Sequence, residues 1–188
     1  MLWPQDPCPN GKIVADGDRQ AFANAFNGNP ALGSMPDSLR DRYAPNDMCF
    51  GCGPRNKEGL RLKSVPRGDD VVADWKPKAQ RVGFGNFGSG GINSVFMDRQ
   101  GNWGAAYALL KSTQLSSPPG TVTSEYTVKF LNPPPIGPPW QLAARATAID
   151  EDRVSVSGEL RVENVVTATM TGLFIAVGDS HPAFHWWQ

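Results

Sequence analysis

The stretch Ser89–Leu110, SGGINSVFMDRQGNWGAAYALL, reads as one long helix. Ile92, Phe96, Trp103, Tyr107 and Leu110 share a broad apolar face, the pattern of a helix packed on a sheet. Gly91, Ser94, Asp98, Gly101 and Ala105 form a neighbouring face of small or polar residues. An interior Gly gives up about 1 kcal/mol of helix stability. Gly101 and Gly104 therefore predict close approach by another backbone or a ligand, or else mere tolerance. Arg99 projects into the apolar face, where an unpaired guanidinium is costly; a carboxylate such as Glu125 is its expected partner.

Gly90 and Gly91 open this helix, leaving bare backbone N–H groups at the positive end of its dipole. Such a site receives anions or developing oxyanions. Ser89 before them is the expected helix cap. Asp98 lies seven residues beyond Gly91, about two turns on, so it shares the Gly91 face at roughly 10 Å along the axis. One reacting carbonyl cannot touch both. If the two act together, the carboxylate meeting a given carbonyl comes from a second copy of the helix, which makes a dimer part of the expectation.

Working outward, Leu60 and Leu62, then Val72 and Trp75, suggest two short strands separated by the turn Arg67-Gly68-Asp69. A Gly-rich loop over 83–88 leads into the helix. After the loop 116–120 come four long alternating segments, Thr121–Leu131, Trp140–Ile149, Val154–Glu163 and Val165–Val177. In the first, Val122, Ser124, Tyr126, Val128 and Phe130 point one way and Thr123, Glu125, Thr127 and Lys129 the other. Asn132-Pro133-Pro134-Pro135 ends it, because proline brings no N–H to a ladder. Glu163-Asn164 suits a tight hairpin. The order predicts an α+β fold, one long helix lying on an antiparallel sheet.

The 188 residues suffice for one well-filled core plus an extension. We read 1–48, rich in Pro, Gly, Asn and Asp, as an irregular N-terminal extension with short helices near Asp18–Phe26 and Asp37–Tyr43, either a packing arm or a lid. The body is 49–178, and 179–188 is an aromatic C-terminal tail carrying Phe184, Trp186 and Trp187. With 18 basic and 18 acidic residues of scattered sign, no footprint for nucleic acid or a membrane surface stands out. No apolar run approaches the roughly 20 residues of a membrane span, and the first residues do not resemble a signal, so a cytoplasmic location is the expectation. The two histidines, His181 and His185, both fall in the tail. A mechanism using a core histidine would need that tail folded over the site. Cys8, Cys49 and Cys52 make no disulfide framework, and Cys49-x-x-Cys52 lacks the second ligand pair of a zinc site, so a structural turn and no metal are expected there.

Cys49-Phe50-Gly51-Cys52-Gly53, Gly90-Gly91-Ile92 with Asp98, and Val122-Thr123 followed by Phe130-Leu131-Asn132-Pro133 together resemble the hotdog-fold acyl-CoA thioesterases of the PaaI-like superfamily, over about residues 49–177. The resemblance implies an antiparallel sheet wrapped around a central helix, a homodimer or homotetramer, and an active site at the subunit interface. It places Gly91, with Gly90 beside it, at the oxyanion-binding position, Asp98 at the catalytic carboxylate, and Thr123 where a hydroxyl helps place the attacking water. Ser89 departs from the pattern, which usually has histidine there. Asn86 and Arg81, in the preceding loop, are candidates to supply a polar substrate contact in its stead. The implied reaction is hydrolysis of an acyl-CoA or acyl-carrier-protein thioester, with no cofactor other than the coenzyme A of the substrate. A hotdog protein that binds acyl thioesters without hydrolysing them, and a hotdog hydratase, are the alternatives.

Overall fold

The computed structural model describes Phe22, Ala25, Phe26 and residues 38–184. Its elements in chain order are α1 (Leu39–Tyr43), β1 (Val65–Arg67), β2 (Asp70–Trp75), β3 (Val82–Phe84), β4 (Phe87–Gly88), α2 (Gly90–Thr113), β5 (Thr121–Phe130), β6 (Trp140–Asp150), β7 (Arg153–Val162) and β8 (Val165–Ala176). Six strands form one antiparallel sheet in the order β1-β2-β6-β7-β8-β5, while β3 and β4 make a separate hairpin leading into α2. The long helix packs against β2, β5, β6, β7 and β8.

Alternation explains which face meets the helix. Val71, Ala73, Leu142 and Ala144 join the large core with Phe96, Met97 and Trp103 of α2. Val72 and Ala143 point to the opposite face, where Phe22 and Ala25 of the N-terminal segment cover them together with Val65. This end of the sheet is also cross-linked electrostatically: Arg145 donates to both oxygens of the buried Asp70, at 2.6 and 2.7 Å, across paired positions of β2 and β6.

The buried helix carries polar groups that bond to their surroundings. Ser64 donates to Gln100 Oε1 at 2.8 Å, and Gln100 Nε2 donates to the Val71 carbonyl at 2.6 Å, tying α2 to the β1–β2 ribbon. Gly101 and Gly104 resolve as packing positions. A Cβ at Gly101 would overlap the Phe174 ring and stand 2.8 Å from Met170 Cε; one at Gly104 would lie 3.2 Å from Ala144 Cβ. The approach comes from side chains of the sheet.

Two expectations need correction. Leu60 and Leu62 are core residues but not a strand, since Arg61 between them adopts φ 55° and the first strand starts at Val65. Their N–H groups donate to the carbonyls of Phe50 and Gly51, so this segment is laced to the Cys49–Gly53 turn. In β5, a register shift between Thr123 and Glu125 breaks the alternation. Thr121 and Thr123 face α2 before it, and Val128 packs on the core after it, although the two sets differ in parity.

The turns behave as their residues predict. Gly68 between β1 and β2 has φ 62°, and Glu163 and Asn164 both adopt left-handed φ in the last hairpin. Of the expected N-terminal helices, the second is α1, capped where Asp41 N–H donates to Ser38 Oγ; the first is described only at Phe22, Ala25 and Phe26, each helical. Of the aromatic tail, His185, Trp186 and Trp187 lie outside the described residues. Among those described, no helix is long and apolar enough to cross a membrane.

Candidate active site

The start of α2 is fixed from below by Trp140. Its ring occupies the space a side chain at Gly88 would need, and its indole N–H donates to the Pro135 carbonyl at 2.9 Å. Ser89 has the extended conformation of a cap, φ −65° and ψ 132°, but its hydroxyl makes no capping bond, contrary to expectation. The first turn of α2 therefore presents amides without the side-chain acceptor that a capping serine supplies. Gly90 and Gly91 are exposed. A Cβ at Gly91 would meet nothing nearer than Ser89 Oγ at 3.7 Å, and at Gly90 only the Phe130 ring at 3.9 Å. Neither glycine has positive φ, so nothing among the described residues demands glycine here.

The loop before it contributes less than its polar residues suggested. The Arg81 carbonyl accepts from Ser89 N–H at 3.2 Å, tying the loop to the helix start, while the Arg81 guanidinium donates to the Glu58 carbonyl at 3.3 Å. Asn86 is exposed in the β3–β4 turn, and its carbonyl accepts from Ile136 N–H at 2.8 Å. Phe84 and Phe87 flank that turn with ring centroids 5.6 Å apart, Phe84 largely exposed. Trp103, by contrast, is wholly core.

Two turns along, Asp98 is no solvated surface aspartate: its side chain is 15% exposed. Thr123 Oγ1 donates to Asp98 Oδ1 at 2.5 Å, which the bulge in β5 makes possible by keeping Thr123 on the helix side. Asn102, one turn further on, lies 2.8 Å from Thr123 Oγ1 and 3.0 Å from Thr121 Oγ1 through its amide. With the amide turned, its oxygen accepts from Arg99 and its nitrogen donates to the Thr121 carbonyl at 2.9 Å. Asn102 meets both threonines in either orientation, and the first, in which it donates to Thr123, leaves the single Thr123 proton to Asp98.

Arg99 is the partner that sequence reasoning missed. Its Nε donates to Asp98 Oδ2 at 2.6 Å and its Nη2 closes on the same oxygen, so it pairs with its own neighbour and not with Glu125. Burial works against the charge on Arg99, but the Asp98 carboxylate and the Cys49 sulfur beside it hold its pKa above the ordinary value. Asp98 thus keeps Oδ1 on Thr123 and Oδ2 on two donors of Arg99, so that Oδ1 is the oxygen with a further lone pair. The spacing of Asn102, four residues after Asp98 on the same helix face, was the available signal for its role; nothing in the spacing identified Arg99.

Asp47, Cys49 and Cys52 bring three potential metal ligand atoms within 4.8 Å of one another. Arg40 donates to Cys52 Sγ at 2.9 Å and pairs with Asp47 at 3.0 Å, and Arg99 Nη1 reaches Cys49 Sγ at 3.9 Å. Two guanidinium groups already supply the positive charge that a metal ion would bring, so this donor set does not fit a cation.

Neither a protein-family profile nor a curated protein sequence matches the chain. Solved structures do. A thioesterase superfamily protein from Shewanella loihica matches with a TM-score of 0.53 at 23% identity, over 62% of this chain and 91% of its own. The Escherichia coli PaaI protein from the phenylacetic acid degradation operon matches with 0.55 at 16%, over 63% and 81%. The protein smu.793 from Streptococcus mutans, solved bound to acetyl-CoA, matches with 0.53 at 13%, over 62% and 89%. The long helix α2 packed against a six-stranded antiparallel sheet, together with the match to these structures, gives the described residues the hotdog fold, the architecture of thioesterase superfamily proteins.

Proposed function

We propose that the chain hydrolyses an acyl-CoA, or an acyl-carrier-protein thioester, in a homodimer or homotetramer whose active site joins two subunits. The observation that carries this reading is the Asp98–Thr123 pair, whose carboxylate lies on the same helix as an exposed, uncapped pair of glycines. In this reading the thioester oxygen rests on the Gly91 amide of one subunit. Asp98 of the other, positioned by Thr123, activates water or attacks the carbonyl directly. One preorganised amide donor is worth about 3 kcal/mol of transition-state stabilisation. The space beside Gly90 and Gly91 admits the substrate, and the exposed Phe130 ring near Gly90 gives the acyl portion an apolar neighbour. The solved relatives, among them one bound to acetyl-CoA, support thioester chemistry as the class.

A second reading, an acyl-thioester-binding protein without hydrolysis, draws on Arg99, whose Nε and Nη2 both occupy Asp98 Oδ2 and leave that oxygen no room for a water or a substrate. One assay separates the two. Free thiol is followed over a panel of short, medium, long and aryl acyl-CoAs, for the wild type and Asp98→Asn. Release by the wild type that the variant lacks supports hydrolysis. Binding of acyl-CoA with no release selects the second reading, and undiminished release by the variant removes Asp98 from the mechanism.

A further inference from the structure

Cys49 and Cys52 lie outside the Asp98–Thr123 pair, in a turn closed where Gly53 N–H donates to the Cys49 carbonyl at 2.8 Å. The turn is pinned to α2: a Cβ at Gly51 would stand 2.5 Å from Arg99 Cγ and 3.0 Å from Val95 Cγ1. A Cβ at Gly53 would meet the backbone of Asp47 and Cys49. Within this rigid setting Cys52 Sγ donates to Cys49 Sγ at 3.6 Å, and both thiols are free. They are also unlike: Cys49 is half-buried, Cys52 only 3% exposed.

The surroundings favour an anion on sulfur. Arg99 from α2 faces Cys49, Arg40 from α1 faces Cys52, and Asp47 is already held by Arg40. The Cys52 thiol, aided by the backbone N–H groups of Cys52 and Gly51 and by Arg99, brings Cys49 down to about 4 against the opposing effect of burial. Cys52, which gives its hydrogen to Cys49 and is buried, is pushed well up.

We propose that Cys49 and Cys52 are an oxidant-reactive dithiol, in which the half-buried Cys49 sulfur attacks a peroxide and the buried Cys52 sulfur closes the disulfide. In the first step the Cys49 thiolate attacks one oxygen of hydrogen peroxide. The S–O bond forms as the O–O bond breaks, and the hydroxide released takes a proton from solvent. In the second step Cys52 attacks the Cys49 sulfur. The S–S bond forms, and the sulfenic oxygen leaves as water with the Cys52 proton. Two thiols are oxidised, one peroxide is reduced, and two waters result. The step removes the negative charge facing Arg99, whose other anionic partner is Asp98.

The test uses the full reduced chain. Trypsin places both cysteines on the peptide Tyr43–Arg55, apart from Cys8. Stoichiometric hydrogen peroxide should lower the mass of that peptide by about 2 Da, the loss of two hydrogens, in a form that dithiothreitol reverses. Cys52→Ser should accumulate a sulfenic acid at Cys49 that dimedone labels. In the wild type, alkylation of Cys49 by iodoacetamide should hold its rate from pH 8 to about pH 5, where an ordinary thiol slows about tenfold per unit. The proposal is overturned if excess peroxide leaves both thiols of the peptide free, or if alkylation slows like that of an ordinary thiol. It is equally overturned if zinc chloride binds the reduced chain stoichiometrically and blocks both thiols, which would make this a metal site.

Discussion

Helix α2 contains two glycine pairs, and they answer to different masters. Gly101 and Gly104 sit under the sheet, where a side chain would collide with Phe174 and Met170 or crowd Ala144. Gly90 and Gly91 sit exposed at the helix start, where a side chain would make only ordinary contacts among the described residues, with Phe130 and Ser89. Each pair forgoes the helix propensity of alanine, by up to about 1 kcal/mol per residue in the interior and less at the first turn. For the inner pair that cost is offset within the chain, by a helix set closer to its sheet. For the outer pair no contact among the described residues offsets it. The helix interior is shaped for the sheet, whereas in the function proposed above the helix start is kept for the substrate.

Asp98 lies between the pairs and gives the sharpest test of that division. If it belongs with the outer pair, Asp98→Asn keeps the fold and lowers turnover of a responsive acyl-CoA by about 100- to 10,000-fold, the range of a lost general base. Steady-state kinetics beside a denaturation curve decides it. A variant that unfolds before it loses activity would place Asp98, with Arg99, on the packing side. Next in size is Gly101→Ala, which should lose about 1–3 kcal/mol in urea titration as Phe174 and Met170 are displaced, despite alanine being the better helix former. A stabilised Gly101→Ala would dissolve the contrast between the pairs.

How much of this was legible follows from where each signal lies. The four long strands could be read almost to the residue because alternation is local and Asn132-Pro133 and Glu163-Asn164 punctuate it. The long helix was legible from its apolar face and its glycine start. The bulge was not, because Thr123, Ser124 and Glu125 fit either parity, and only pairing with Leu173 and Phe174 reveals the extra residue. Yet that bulge keeps Thr123 on the Asp98 side. The arginine was misplaced for a similar reason: a helical projection shows the direction of a Cβ, but Arg99 has a long stem that lies along Gly51 and turns its charge back to Asp98. Ser89 was assigned a cap by residue type, whereas its hydroxyl makes no capping bond in the structure.

A smaller effect is expected at Thr123. Thr123→Val keeps the shape but removes the hydroxyl between Asp98 and Asn102. Turnover should fall about tenfold, about 1.4 kcal/mol, with the acyl preference unchanged. An unaltered rate would mean that Arg99 alone positions the carboxylate.

The smallest change in stability is expected at the outer pair, and it tests the comparison from the other side. Gly91→Ala adds a methyl group that meets only Ser89 Oγ, at an ordinary 3.7 Å, in a helical residue that gains propensity. Unfolding free energy should move by less than about 0.5 kcal/mol, in either direction. If the space beside Gly91 is kept for a ligand, the same methyl group should weaken acyl-CoA binding or turnover, because it fills room that the chain itself leaves open. Gly101→Ala should do the reverse, losing stability first. A methyl group that costs function without stability at one end of a helix, and stability before function in its middle, separates a surface kept for a visitor from one kept for the fold. A Gly91→Ala protein equal to wild type in both respects would leave the open glycines without a purpose and move the search for the oxyanion donor elsewhere on the chain.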